Sequence, residues 1–153
     1  MPDYTVKRLD EMERSFGGAF VKVRAELGVT SFGVQVIEIP PDVTQYPEHD
    51  HAESGQEEVF GVIDGSGRIT VGGEDVPLEK DVWIRVGAEE PRKIYSGPDG
   101  LRLVALGGTP GKPYEIADAS KLTGTAAYQR RPAGRPRRAS RHHPGRCRRR
   151  TSS

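Results

Sequence analysis

The sequence predicts an all-β protein, a sandwich or barrel, on three observations. Short runs of alternating or β-branched residues recur along the chain. Most of them end in glycine- or proline-bearing turns, and only one segment shows a helical period. With 153 residues, 34% hydrophobic and 29% charged, the chain suits one domain with a modest core.

The first element, VKRLDEMERSF over 6–16, sets Leu9, Met12, Glu13 and Phe16 near a three/four spacing and reads as partly helical. After Gly17-Gly18, AFVKVR over 19–24 alternates and reads as a strand. FGVQVIEI, 32–39, is a second strand and stops at Pro40-Pro41. EVFGVI, 58–63, runs into Asp64-Gly-Ser-Gly67, and RITV, 68–71, into Gly72-Gly73, both read as hairpin turns. VWIRV, 82–86, follows. Then come RKIY, 92–95, with the turn SGPDG, and LRLVAL, 101–106, before Gly107-Gly108. That makes about seven or eight strands. Beyond Gly111 an extended segment with a short helical turn is expected to close over the barrel.

The formal charge of +1 conceals two opposite halves. Residues 1–129 hold 13 Lys and Arg against all 22 Asp and Glu, a net −9, whereas residues 130–153 hold 10 Arg and no acid. A body this acidic is a poor holder of phosphate backbones. The tail lacks apolar periodicity and repels itself, so it is expected to be disordered and to meet nucleic acid only nonspecifically. No apolar run approaches the roughly 18 residues that span a bilayer, and MPDYTVKR lacks the apolar core of a secretory signal, so the chain reads as cytoplasmic, with no membrane partner. Cys147 has no second cysteine, which excludes a disulfide framework. It and His142-His143 sit in the tail without a scaffold to pre-set metal geometry.

The chemistry concentrates in PEHDHAESGQEEVFGVIDG, 47–65, which carries both histidines of the body. His49 and His51 are two apart, so on a strand both leave the same face. Glu58 shares parity with Phe60 and Val62, and a carboxylate on that apolar face needs a metal or an arginine beside it. Two imidazoles and a carboxylate form a facial triad with open positions, suited to Lewis-acid or oxygen chemistry. Gln56 and Glu57 are the neighbouring alternatives to Glu58. The other reading of any His-x-His pair is an exposed strand end. Asp64-Gly-Ser-Gly67 has no helix after it and reads as a turn, not a phosphate loop. Trp83 has parity opposite to Val82, Ile84 and Val86 and reads as a core residue on the outer sheet face or as a contact at a subunit interface, rather than as a ligand-stacking ring.

HDH, EE and VFGVIDGSG together resemble the first motif of the small single-domain cupins, in which two histidines and a glutamate six residues before a glycine bind a metal inside a β-barrel. The GSGRITVGGEDVPLE hairpin, the DVWIRV strand and GLRLVALGG continue the likeness from about Ala19 to Pro110. The resemblance implies a cupin-type jelly-roll β-barrel over 19–115, after an N-terminal arm, 1–18, and before a C-terminal extension, 116–129, and the tail, 130–153. It also implies His49, His51 and Glu58 as ligands of a divalent metal, Fe, Ni, Zn or Mn, and a homodimer.

The sequence departs from the motifs in places. Six residues separate His51 from Glu58 where the family has three or four, and Val43 stands in place of a leading glycine. In the second motif Asp81, Gly87, Glu89, Arg92 and Ser96 fall at the positions of glycine, proline, glycine, the metal-binding histidine and asparagine. Arginine cannot coordinate a metal there, but it can neutralise Glu58 or clamp a substrate oxyanion. The expected function is a barrel binding a small polar or anionic molecule. In one form it is a divalent-metal-dependent enzyme of isomerase or dioxygenase type, with Arg92 as catalytic charge stabiliser. In the other it is a non-enzymatic, metal-free ligand-binding or regulatory barrel in which Glu58 pairs with Arg92.

Overall fold

The computed structural model describes residues 2–124. The tail expected to be disordered, with His142, His143 and Cys147, lies outside the described residues. Among the described residues seven strands form one antiparallel sheet. They are β1 (Arg14–Ser15), β2 (Phe20–Val21), β3 (Gly33–Ile39), β4 (Glu57–Val71), β5 (Glu74–Glu79), β6 (Trp83–Val86) and β7 (Arg92–Gly108). The order is β1-β2-β3-β7-β4-β5, with β6 also pairing β4.

β3 shows how alternation builds the wall. Gly33, Gln35, Ile37 and Ile39 are buried and face inward, and the residues between them are less so. Ile37, Ile39, Phe60, Val62, Ile69, Leu78, Val86, Ile94, Leu101, Leu103 and Ala105 form the main core. Met12, Val21 and Val23 form a second cluster, with Leu9, Leu27, Val34 and Val36 around it.

Two expected turns are bends within strands. Glu57–Val71 is one strand, and so is Arg92–Gly108. The first half of β4 pairs with the second half of β7, the second half of β4 with the first half of β7, and register shifts fall at Val62/Asp64 and Gly65/Gly67. Gly65 and Gly100 have φ of 78° and 75°, the left-handed values that a hairpin turn also uses. Here they make bulges that turn both strands round one corner, since a β-carbon on Gly65 would strike the Gly100 carbonyl oxygen. The reversal at Gly72-Gly73, between β4 and β5, is the expected hairpin.

The N-terminal region also departs from expectation. Residues 19–24 are not one strand: after Phe20–Val21 the chain forms helix α1, Val23–Leu27, ended by Gly28 at φ 75°. The helical expectation for 6–16 reduces to a single 3-10 turn, Leu9–Glu11. Residues 112–124 run extended with one 3-10 turn, Asp118–Ser120, as expected.

A buried ion pair ties the two ends together. Lys22 Nζ lies 2.6 Å from Glu13 Oε1. The Glu13 carboxylate also accepts the Thr123 and Gly124 amides and the Thr123 hydroxyl. The bond from Lys22, aided by those from Thr123 and Gly124, outweighs burial and holds the Glu13 carboxyl down to about 2. Arg24 donates to the Val29 and Ser120 carbonyls. No helix among the described residues is long and apolar enough to cross a membrane.

Candidate functional site

Glu58 reaches the site from β4. Together with Phe60 and Val62 it points into the barrel, while Glu57 points out and accepts from Arg85 Nε at 2.6 Å. This parity separates Glu58 from Glu57; Gln56 shares the inner face and lines the cavity, but it is Glu58 that lies against both histidines. His49 is held by a two-way backbone bridge to Arg92, its amide donating to the Arg92 carbonyl at 3.1 Å and its carbonyl accepting from the Arg92 amide at 2.9 Å. The His51 amide donates to the Ala88 carbonyl. The lengthened loop folds on itself, with Gly55 donating to the His51 carbonyl and Ala52 to Asp50 Oδ1, so the extra residues leave both imidazoles facing Glu58.

His51 Nε2 lies 3.2 Å from Glu58 Oε1, and His49 Nε2 lies 3.8 Å from Oε2. One donor atom from each of the three residues falls within 4.8 Å of the others, so His49, His51 and Glu58 could hold one metal ion. His51 Nε2 and Glu58 Oε2 are buried and lack an aligned hydrogen bond. The Pro47 carbonyl lies 3.3 Å from His49 Nδ1 and can only accept. That bond places the His49 proton on Nδ1 and leaves Nε2 as the free donor of an electron pair. The residues present therefore fit a divalent cation.

Arg92 sits behind the triad rather than in the cavity. It is fully buried, with Nε 3.5 Å from Glu58 Oε2 and Nη2 donating to the Gly87 carbonyl at 2.9 Å. Burial pushes the Glu58 carboxyl up, but the two imidazoles and Arg92 outweigh it and hold it down to about 2. Glu58 in turn raises His49, against burial. At the other departures from the second motif, Asp81 adopts φ 72°, the conformation that suits the motif's glycine, and Ser96 Oγ bridges the Pro40 carbonyl and the Val43 amide.

The triad opens on a cavity of about 780 Å³. Phe20, Ile37, Ile39, Val43 and Phe60 give it apolar walls, and the N-terminal arm at Phe16 and the C-terminal segment from Tyr114 to Ser120 close its side. Gln35, Tyr46 and Tyr114 also line it, although no motif marks them; only the alternation of FGVQVIEI assigns Gln35 to the inner face. Burial, and then the Glu58 charge, pushes the Tyr46 phenol up to about 12.

This arrangement has counterparts among solved structures. A cupin protein from Bacteroides fragilis superposes with a TM-score of 0.59 at 20% identity, over 82% of this chain and 100% of that one. The chain has the cupin fold. A protein from Photorhabdus luminescens gives a TM-score of 0.55 at 17% identity, over 72% of this chain and 90% of that one. No protein-family model matches the sequence, and no curated protein does. In this cupin barrel the histidines, on the segment before β4, lie beside Glu58 and a largely apolar cavity. Trp83 lies across the Gly61 backbone on the outer face, 58% exposed, and is not a core residue.

Proposed function

We propose that this cupin barrel binds a divalent metal on His49, His51 and Glu58 and presents it to a small molecule in the adjoining cavity, as a metal-dependent enzyme does. The observation that carries this is the convergence of His49, His51 and Glu58 within 4.8 Å, with two of their buried donor atoms, His51 Nε2 and Glu58 Oε2, left without a hydrogen bond. A bound cation would supply Lewis-acid polarisation of a substrate oxygen. The chain's own residues do the rest: Pro47 fixes the His49 tautomer, Arg92 keeps Glu58 ionised, and the apolar walls exclude water. Arg92 thus acts as a positioning residue, through Glu58, with no surface on the cavity.

A metal-free reading has one observation of its own. Arg92 and both imidazoles already converge on Glu58, and a protonated His49 satisfies the carboxylate without an ion. Elemental analysis of the purified full chain beside the His49→Ala/His51→Ala variant separates the two. One equivalent of Fe, Ni, Zn or Mn, lost in the variant, supports the metal site; equal metal content in both proteins leaves the metal-free barrel. The expected homodimer has its best-placed surface on the outer sheet face at Ile63 and Trp83, both exposed. Sedimentation of Trp83→Ser tests it: a monomer is expected, and an unchanged dimer moves the contact elsewhere.

A further inference from the structure

The cavity lining is specific about charge. Among the described residues that line it there is no lysine or arginine, while Glu58 and Glu115 are both present. Arg92, the nearest guanidinium to the triad, is fully buried behind Glu58. A phosphate or carboxylate placed away from the triad would lose its hydration to walls of Phe20, Ile37, Ile39, Val43 and Phe60, with no counter-charge to offset the loss. A polyol would find partners at Gln45, Tyr46, Gln56 and Tyr114, but its remaining hydroxyls would lie against the apolar walls.

One polar group in this wall has no partner of its own. Gln35 is 7% exposed, projects inward from β3 and lines the cavity, and its Oε1 has no hydrogen bond. A buried amide oxygen left empty is costly, and rotation of the side-chain amide toward the cavity would let an N–H or O–H donor from a ligand satisfy it.

We propose that the ligand of this cavity has an uncharged apolar body of one or two rings or the alkyl equivalent. One oxygen-bearing end faces His49, His51 and Glu58, and a hydroxyl or N–H donates to Gln35 Oε1 once that side-chain amide turns its oxygen toward the cavity. The cavity volume falls within the roughly 300–1,000 Å³ of small-molecule sites, so a body of that size fits. The inference takes the direction of the oxygen-bearing end from the proposed metal site; the apolar body and the Gln35 bond stand on the lining alone. It narrows the expected small polar or anionic ligand to one whose polarity is confined to two points.

The test uses the full-length protein in EDTA and again after zinc loading. Three probes are titrated by saturation-transfer NMR: 2-naphthol, 2-methylnaphthalene and glucose 6-phosphate. The expected result is saturable binding of 2-naphthol in both metal states and weaker binding or none of glucose 6-phosphate. In Gln35→Met the affinity for 2-naphthol should fall about fivefold to tenfold, the loss of one hydrogen bond, with 2-methylnaphthalene within twofold of its starting value. Ile116→Asp, at a lining position 37% exposed and so tolerant of substitution, should weaken both aromatic probes about tenfold by putting a charge against the body. Tighter binding of glucose 6-phosphate than of 2-naphthol in either metal state overturns the proposal. So does an equal loss of both aromatic probes in Gln35→Met, or unchanged affinity in Ile116→Asp. Zinc uptake is read separately by calorimetry. Gln35-dependent binding of 2-naphthol without zinc uptake would remove the metal reading and leave this one standing, and the converse pattern would do the reverse.

Discussion

Replacing Arg92 with methionine removes the guanidinium that, among the described residues, faces Glu58, at a position with no solvent exposure. Breaking a buried charge pair from one side costs about 3–5 kcal/mol, because the remaining charge is left without its partner. Glu58 keeps 13% side-chain exposure and contacts with both histidines, so the lower end, about 3 kcal/mol, applies to the metal-free protein. Loss of the bond to the Gly87 carbonyl is included in that figure. In melting temperature this is a fall on the order of 10 °C. A divalent cation on the triad supplies Glu58 with another partner, so the loss should shrink when zinc is bound. Arg92→Met/Glu58→Met, which removes both charges, should recover most of the stability of the single variant. The assay is urea unfolding of wild type and the two variants, with EDTA and with zinc. If Arg92→Met stays within about 1 kcal/mol of wild type in EDTA, or the double variant is no more stable than the single one, the charge argument fails.

Three further results follow from the same physics. Gly65→Ala puts a β-carbon against the Gly100 carbonyl at φ 78° and should cost about 2 kcal/mol or more by urea unfolding, whereas Gly73→Ala, at φ 87° with open space, should cost about 1 kcal/mol. Glu13 and Glu58 both have folded values near 2, below the ordinary carboxylate range. Their stabilisation is therefore present above about pH 4.5 and lost as the pH falls toward 2, so melting curves in EDTA should drop over that window and drop less steeply in Glu13→Gln. Leu103→Ala, at a fully buried site, should cost about 2–5 kcal/mol, while Phe32→Ala, 45% exposed, should change stability by no more than about 0.5 kcal/mol.

Much of the barrel is legible before any coordinates. FGVQVIEI alternates with period two and is a strand with the inner face that its parity implies. Glu58 was separable from Glu57 by the same parity, and the structure turns Glu57 outward to Arg85. What composition could not distinguish was a bulge from a hairpin: DGSG and SGPDG need left-handed glycine in either case, and only the pairing of β4 with β7 along both halves decides between them. AFVKVR misleads because its alternation continues through Lys22, a residue that turns inward to Glu13. The helix signal lay just beyond, in RAEL before Gly28. The cavity wall contributed by Tyr114 to Ser120, and the isolation of Gln35 Oε1, depend on contacts between segments far apart in sequence and have no local signature.

The most direct measurement of the central claim is zinc-edge X-ray absorption on the full chain loaded with one equivalent of zinc. The account predicts two imidazole ligands and a carboxylate, with nitrogen and oxygen donors at about 2.0–2.2 Å, and loss of the imidazole signature in His49→Ala/His51→Ala. A sulfur scatterer near 2.3 Å, or an imidazole pattern that persists in that variant, would place the metal on Cys147 or on His142-His143 and contradict it.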